Sequence, residues 1–276
     1  MDINRIICAY FSPTGGTKRV AMALQNGFLQ GLPHYKPQVL TYNYLTPERR
    51  AKAPVFSAHD LLVLASPVYY GRMPWAFAQW PELQGNGARA IVVSVYGNRA
   101  IEDGTRETAA FLQAHGFKVG GYIEAIAEHS LERRLASGRP DANDKAQLTS
   151  KAQEILKLLC KLQEQHEEWA EYDFDFNTPY KAAGRAAIIP HPLDTAKCDS
   201  CQRCIKMCPC GIIDPETFTV KDEDREQCMN CTACMKVCLS GIRGYTSEEE
   251  QALRSKMTMI YEANQKPKSI AMVLAS

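Results

Sequence analysis

The chain carries 11 cysteines, and nine of them fall between Cys198 and Cys238. Cys198, Cys201, Cys204 and Cys208 stand at C-x2-C-x2-C-x3-C spacing, with Pro209 immediately after. Cys228, Cys231, Cys234 and Cys238 repeat that spacing thirty residues later, and Gly211 with Gly241 and Ile212 with Ile242 keep the register, so the segment is an internal duplication. Thiolates are metal ligands, and three thiols separated by two residues each curl around one corner of an Fe4S4 cube, leaving the fourth iron to a distant thiolate. Zinc also accepts four thiolates, although its ribbons show paired knuckles instead of triple runs. A disulfide framework belongs to small secreted modules. Cys210, an extra thiol, and the isolated Cys8 and Cys160 read as small buried residues.

A second chemistry is written at the N-terminus. An apolar run leads into Ser12, Pro13, Thr14, Gly15, Gly16 and Thr17, and a helical pattern follows. Backbone amides at a helix start, joined by hydroxyl donors, can hold a dianion without any lysine. Neither the Walker order nor the dinucleotide glycine fingerprint is present. Two further loops, 66–75 and 95–104, follow the carboxyl ends of strands, where open α/β sheets bind ligands. They offer Tyr69, Tyr70 and Tyr96 beside glycines, and any of the three could lie against a flat ring. His129 and Ser130 lie just past another strand end on the ligand side, in a stretch (128–144) that reads as a surface loop, with a contact to ligand or partner as the alternative.

These residues need elements to position them. Short apolar or β-branched runs predict strands at 5–11, 38–42, 61–65, 90–95 and 119–127, and helical patterns fall between them at 17–30, 74–81, 105–115 and 143–169. Leu148, Ala152, Ile155, Leu156, Leu159 and Leu162 share one face of the last helix. Strands alternating with helices imply a parallel sheet covered on both faces, here over residues 1–170. Residues 171–197 have three prolines and no sustained period, so they read as a linker. Tyr172, Phe174, Phe176 and Tyr180 predict that this linker packs across the first domain instead of hanging free. The cysteine module occupies 198–244, and 245–276 reads as a helix with Ser247 at its N-cap, followed by a tail.

With 276 residues, 45% of them hydrophobic, and a net charge of +1, the chain can bury real cores and has no surplus of cations for nucleic acid. No apolar run reaches the length of roughly 18 residues that a membrane span needs. The first residues have no signal-peptide pattern, so the expected compartment is the cytoplasm. Between Cys198 and Cys238, seven acids face five bases, and the acidic run 222–226 is a candidate docking patch.

The segment 198–244 resembles the bacterial two-cluster ferredoxins. That resemblance implies two [4Fe-4S] clusters with crossed ligands: Cys198, Cys201, Cys204 and Cys238 for one, and Cys228, Cys231, Cys234 and Cys208 for the other. The clusters would then serve as the core of a module too small to hold itself by apolar burial. Leu239 stands where the family has proline after the last cysteine, which bears on the geometry and potential of the first cluster.

Residues 1–165 resemble flavodoxins. Carried over by position, Ser12, Thr14, Gly15, Gly16 and Thr17 would hold the phosphate of FMN. Pro67, Val68, Tyr69 and Gly71 would line one side of the flavin ring, and Tyr96, Gly97, Asn98 and Asp103 the other. The order of the two parts resembles the flavodoxin–ferredoxin fusion proteins of anaerobic bacteria and archaea. It implies an α/β, flavodoxin-like, five-stranded parallel sheet with a C-terminal α+β two-cluster ferredoxin domain. The function so implied is electron transfer between one- and two-electron carriers, serving a protein redox partner such as a low-potential ferredoxin or an oxidoreductase. A homodimer is an allowed assembly. The alternative is an FMN-dependent reductase of a small organic substrate, fed through its own ferredoxin domain. A non-redox module with structural clusters would leave the flavin site unexplained.

Overall fold

A computed structural model of the chain describes residues 2–275. Apolar runs and helical patterns alternate as β1 (Arg5–Tyr10), α1 (Gly16–Gln30), β2 (Gln38–Asn43), α2 (Pro47–Arg50), β3 (Asp60–Pro67), β4 (Arg89–Tyr96), α3 (Gly104–Ala114), β5 (Lys118–Ile126) and α4 (Ala142–Glu164). The cysteine region contributes β6 (His191–Pro192), α5 (Arg203–Lys206), α6 (Ala233–Lys236) and β7 (Arg243–Gly244), and the chain closes with α7 (Ser247–Ala263) and β8 (Ala271–Leu274).

Among the described residues the main sheet runs β2-β1-β3-β4-β5-β8, with the first five strands parallel. The order 2-1-3-4-5 is that of the flavodoxin-like doubly wound fold. The central strands β3 and β4 are buried almost end to end, as strands covered on both faces must be. On one face α1 and α4 close over Ile6, Leu24, Val63, Val93 and Leu156. On the other, Phe77, Trp80, Phe111 and Leu112 close over Ile7, Leu62 and Val92.

The five-stranded expectation is corrected by β8, which pairs antiparallel with the outer edge of β5. An uncovered strand edge is a liability, and four residues after α7 suffice to cover this one. Gly121 permits the approach, since a Cβ there would lie 2.3 Å from the Val273 carbonyl oxygen. So short an apolar run carries no period of its own, and the sequence left it as tail. Three boundaries also shift. The 74–81 segment forms only a 3₁₀ turn at Trp75–Gln79. Helix α4 ends at Glu164, leaving Trp169 beyond it, packed on Gly120. Thr246, not Ser247, caps α7, exchanging hydrogen bonds with Glu249 in a capping box.

The stretch read as a linker does pack across the first unit. Arg106 donates to the carbonyls of Asp175 and Pro179 at 2.9 and 3.0 Å, and the guanidinium groups of Arg72 and Arg106 lie 5.0 and 4.4 Å from the centre of the Tyr180 ring. The cysteine region docks too. Met229, Cys231 and Ala233 join the same apolar cluster as Tyr44, Phe77 and Trp80. Trp75 Nε1 donates to the Gln227 carbonyl at 2.8 Å, and Arg50 Nη2 donates to the Pro209 carbonyl at 2.9 Å. No helix among the described residues is long and apolar enough to cross a membrane.

Candidate cofactor site

The turn between β1 and α1 is built to leave donors open. Gly15 caps the helix at φ 93°, a conformation that glycine adopts without a Cβ penalty. Ser12 Oγ accepts the Lys18 amide at 2.9 Å, which fixes the loop. The first amides of a helix have no intrahelical acceptor, so they face whatever lies beyond the turn. Thr17 is only 4% exposed, lines the cavity beyond the turn, and its hydroxyl has no hydrogen-bond partner among the described residues.

That cavity measures about 450 Å³ and opens at the carboxyl ends of β1, β3, β4 and β5. Of the residues assigned to it from sequence, Thr14, Gly16, Thr17, Pro67, Val68, Tyr69, Tyr96 and Gly97 line it. Ser12 and Gly15 shape its loop instead. Gly71 sits at φ 77° in a tight turn closed by mutual hydrogen bonds between Tyr69 and Arg72.

Asn98 and Asp103 are engaged elsewhere. The Asn98 amide donates to the carbonyls of Asn264 and Lys266 and accepts from the Lys268 amide, clasping the C-terminal segment. Asp103 accepts from the Lys181 amide at 2.7 Å and from Arg106 at 2.9 Å. Those donors hold its carboxyl below the usual range against the upward push of burial. A polar side chain near a strand end reads the same in sequence whether it faces a ligand or another part of the chain.

The three tyrosines separate by surroundings. Tyr70 stacks against Trp75, with ring centroids 6.1 Å apart, and covers Gly184. Tyr69 is turned toward the cysteine region: burial pushes its hydroxyl pKa up, and Cys231 and Cys210 add to the shift. Tyr96 lines the cavity from β4. His129 also lines it, with its ring lying where Gly97 would carry a side chain. Its Nδ1 accepts the amides of Leu131 and Glu132 at 3.2 and 3.0 Å, so the ring proton sits on Nε2. Burial lowers its pKa, keeping the ring neutral. Sequence reasoning missed the outer walls: Gly184, Arg185 and Ile188 from the former linker, Leu253, Met257 and Ile260 from α7, and Met229 and Asn230 from the cysteine region. Only the spacing of Leu253, Met257 and Ile260 on one helix face could have flagged them.

All 11 cysteines are free thiols in the structure. Cys208, Cys228, Cys231 and Cys234 line one small chamber together with Cys210. Burial pushes the Cys228 thiol to about 11 and moves Cys204, Cys231 and Cys234 upward, so they are poor nucleophiles unless a metal takes the proton's place. The other predicted set is more open: Cys201 is exposed, and Cys198, Cys204 and Cys238 are partly covered. Among the described residues no three His, Cys, Asp or Glu side chains close in as they would around a single metal ion. A cube of iron and sulfide holds its thiolates farther apart than one ion does.

Two buried arginines test whether an anionic group fits here. Arg50 is 1% exposed and Arg243 is 4% exposed; neither makes an ion pair among the described residues, and the Nε of each has no hydrogen-bond partner. Burial lowers the Arg50 pKa, and Cys210, Glu82 and Cys208 act against that shift. Arg243 acts on Cys204, Cys228 and Cys234 and hydrogen-bonds Cys234. A buried cation without a counter-ion is costly. A thiolate-ligated cluster is negatively charged, so the donor set and its surroundings fit one.

No family model matches the sequence, and a search of the curated proteins gives no match. Similar solved structures include a flavodoxin from the domain Archaea, 15% identical over 56% of this chain and 98% of that one, with a TM-score of 0.39. A flavodoxin of Streptococcus pneumoniae TIGR4 is 18% identical over 56% of this chain and 98% of its own, with a TM-score of 0.38. A WrbA-like flavodoxin of Agrobacterium tumefaciens is 12% identical over 58% of this chain and 99% of its own, with a TM-score of 0.37. Likeness at this level carries no functional argument; the strand order of the sheet itself carries the fold.

Proposed function

We propose that this chain is an electron-transfer flavo-iron–sulfur protein, with FMN in the cavity above the sheet and two [4Fe-4S] clusters on the crossed cysteine sets. One observation carries the reading. Met229, which sits between Cys228 and Asn230, lines both the cavity and the chamber of Cys208, Cys228, Cys231 and Cys234. The two candidate sites therefore have Met229 as a common part of their walls. When bound, the clusters supply single electrons and FMN accepts one or two.

The chain's own residues have separable tasks in this reading. The Thr17 hydroxyl and the first amides of α1 hold the phosphate. Pro67, Val68 and Tyr69 on one loop, and Tyr96 and Gly97 on another, orient the ring. The 181–188 segment and α7 exclude water. Arg50 and Arg243 offset the negative charge held by the thiolates. The protein partner, a low-potential ferredoxin or an oxidoreductase, would meet a surface such as the exposed acidic turn at Asp222–Gln227.

Anaerobic purification of the full chain, followed by iron, sulfide and flavin analysis, tests the reading. About eight irons and about one FMN per chain are expected for two cubanes and one flavin. Stoichiometric zinc, or a chain that takes up no flavin, contradicts it.

One observation favours a second reading. A groove of about 930 Å³ adjoins the cavity and shares Thr14, Gly16, His129 and Met257 with it. Such a space could admit a small organic acceptor, making the chain a reductase with the same cofactors. Saturable oxidation of the reduced protein by a small quinone would favour it over the carrier role.

A further inference from the structure

The groove beside the phosphate loop is lined by more cations than it can pair internally. Arg133 bonds Glu128, Arg134 bonds Glu132 and Arg254 bonds Glu250, at 2.6, 2.7 and 2.6 Å. Arg19 and Lys236 remain, and neither makes an ion pair among the described residues. Both converge on the turn before α1. Lys236 Nζ donates to the Thr14 carbonyl and lies 3.5 Å from where Gly15 would carry a Cβ; Arg19 Nη1 lies 3.9 Å from the same point. Arg19 is held there by a 3.0 Å hydrogen bond from Nη2 to the Arg139 carbonyl. Thr17, nine-tenths buried and without a partner for its hydroxyl, lines the adjoining cavity, which meets the groove at Thr14 and Gly16.

Lys236 does not belong to the flavodoxin-like unit. It ends α6, between Cys234 and Cys238 of the second cysteine run. We propose that Lys236 is a phosphate ligand of the flavin site, so that the phosphate pocket is assembled from both parts of the chain: hydroxyl and amides from the N-terminal turn, and the cation from the cysteine-rich segment. This rests on the flavin reading above. A phosphate ester carries close to two negative charges at neutral pH, and the turn alone offers only dipoles to meet them. The ammonium group of Lys236 and the guanidinium group of Arg19 add full positive charge to a turn whose dipoles already favour an anion. The phosphate in turn ties the second cysteine run to the loop that it completes.

The duplication provides an internal control. Lys206 occupies the same register in the first run, is exposed, and does not line the groove. The full-length protein is titrated with FMN and with riboflavin, which lacks the phosphate, and binding is read by flavin fluorescence. Lys236→Met is expected to weaken FMN about tenfold, the size of one charge-assisted hydrogen bond, and to leave riboflavin affinity unchanged. Lys236→Arg retains the preference for FMN, and Lys206→Met changes neither affinity. A Lys236→Met protein that loses both flavins equally shows only a structural tie and overturns the proposal. So does one that keeps its full preference for FMN, or an equal loss in Lys206→Met. A wild-type chain that binds riboflavin as well as FMN overturns the phosphate assignment alone, whereas one that binds neither flavin refutes the underlying reading.

Discussion

Asp199, Cys201 and Arg203 in the first cysteine run are exposed, whereas Met229, Cys231 and Ala233 at the same register in the second are buried. The backbones of the two runs nonetheless match. Ser200 and Asn230 sit at φ 51° and 50°, Gln202 and Thr232 at 56° and 60°, and Gly211 and Gly241 at 67° and 66°. The short helices α5 and α6 follow at equivalent positions. Cysteine spacing thus sets the loop, and the residues between the cysteines set what the loop docks against. Alanine at 233 and methionine at 229 let the second run enter the apolar cluster beneath Trp80, while the charged equivalents keep the first in solvent. One run faces the cavity above the sheet; the other is left to meet the outside.

The largest effect should come from withholding iron. In an iron-free chain, hydrogen exchange is expected to leave amides around Cys198 to Cys208 unprotected, while β1, β3 and β4 keep their protection. The sheet has a large apolar core of its own, whereas the thiol-rich segment has only a small cluster around Ile212 and Ile213. Equal protection in both would break the contrast. Next in size, Met229→Ala should cost about 3 kcal/mol in the iron-loaded protein and Asp199→Ala less than about 0.5, as fits a buried and an exposed position. Similar losses measured by denaturant titration would mean that docking does not distinguish the runs.

A smaller effect belongs to the N-terminal unit alone. Asp144 is 1% exposed, and the Arg139 guanidinium holds its carboxyl below the usual range. A depressed carboxylate stabilises the fold above its unfolded pKa, and that contribution is lost as pH falls through the folded value. Asp144→Asn should therefore cost about 2 kcal/mol at neutral pH, with the gap to wild type closing below about pH 4. Because no thiol takes part, the same cost should appear with or without iron. A penalty that vanishes in the iron-free chain would show the two regions to be one folding unit.

The legible parts of this molecule were those written in local pattern. Period and length marked the five parallel strands, and the repeated cysteine spacing marked the thiol segment. Thr14, Gly16 and Thr17 were legible as cavity-lining residues because a glycine-rich turn between strand and helix is a local pattern. What escaped depended on contacts between distant segments. The pairing of β8 with β5 is set by an open sheet edge, not by any pattern within residues 271–274. Asn98 and Asp103 sit where ring ligands were expected, yet each holds backbone more than 70 positions away, and Asp103 also pairs with Arg106. Lys236 is one of two register-equivalent lysines, and only docking separates it from Lys206.

Mixing the loaded protein with a reduced one-electron carrier protein in a stopped-flow spectrometer tests the shared wall most directly. The iron–sulfur and flavin bands can be followed in the same trace. If electrons pass within the chain, iron–sulfur bleaching comes first, and the flavin then bleaches at a first-order rate that does not change with carrier concentration. Flavin bleaching that rises in proportion to the carrier, with the iron–sulfur band lagging or silent, would contradict the account.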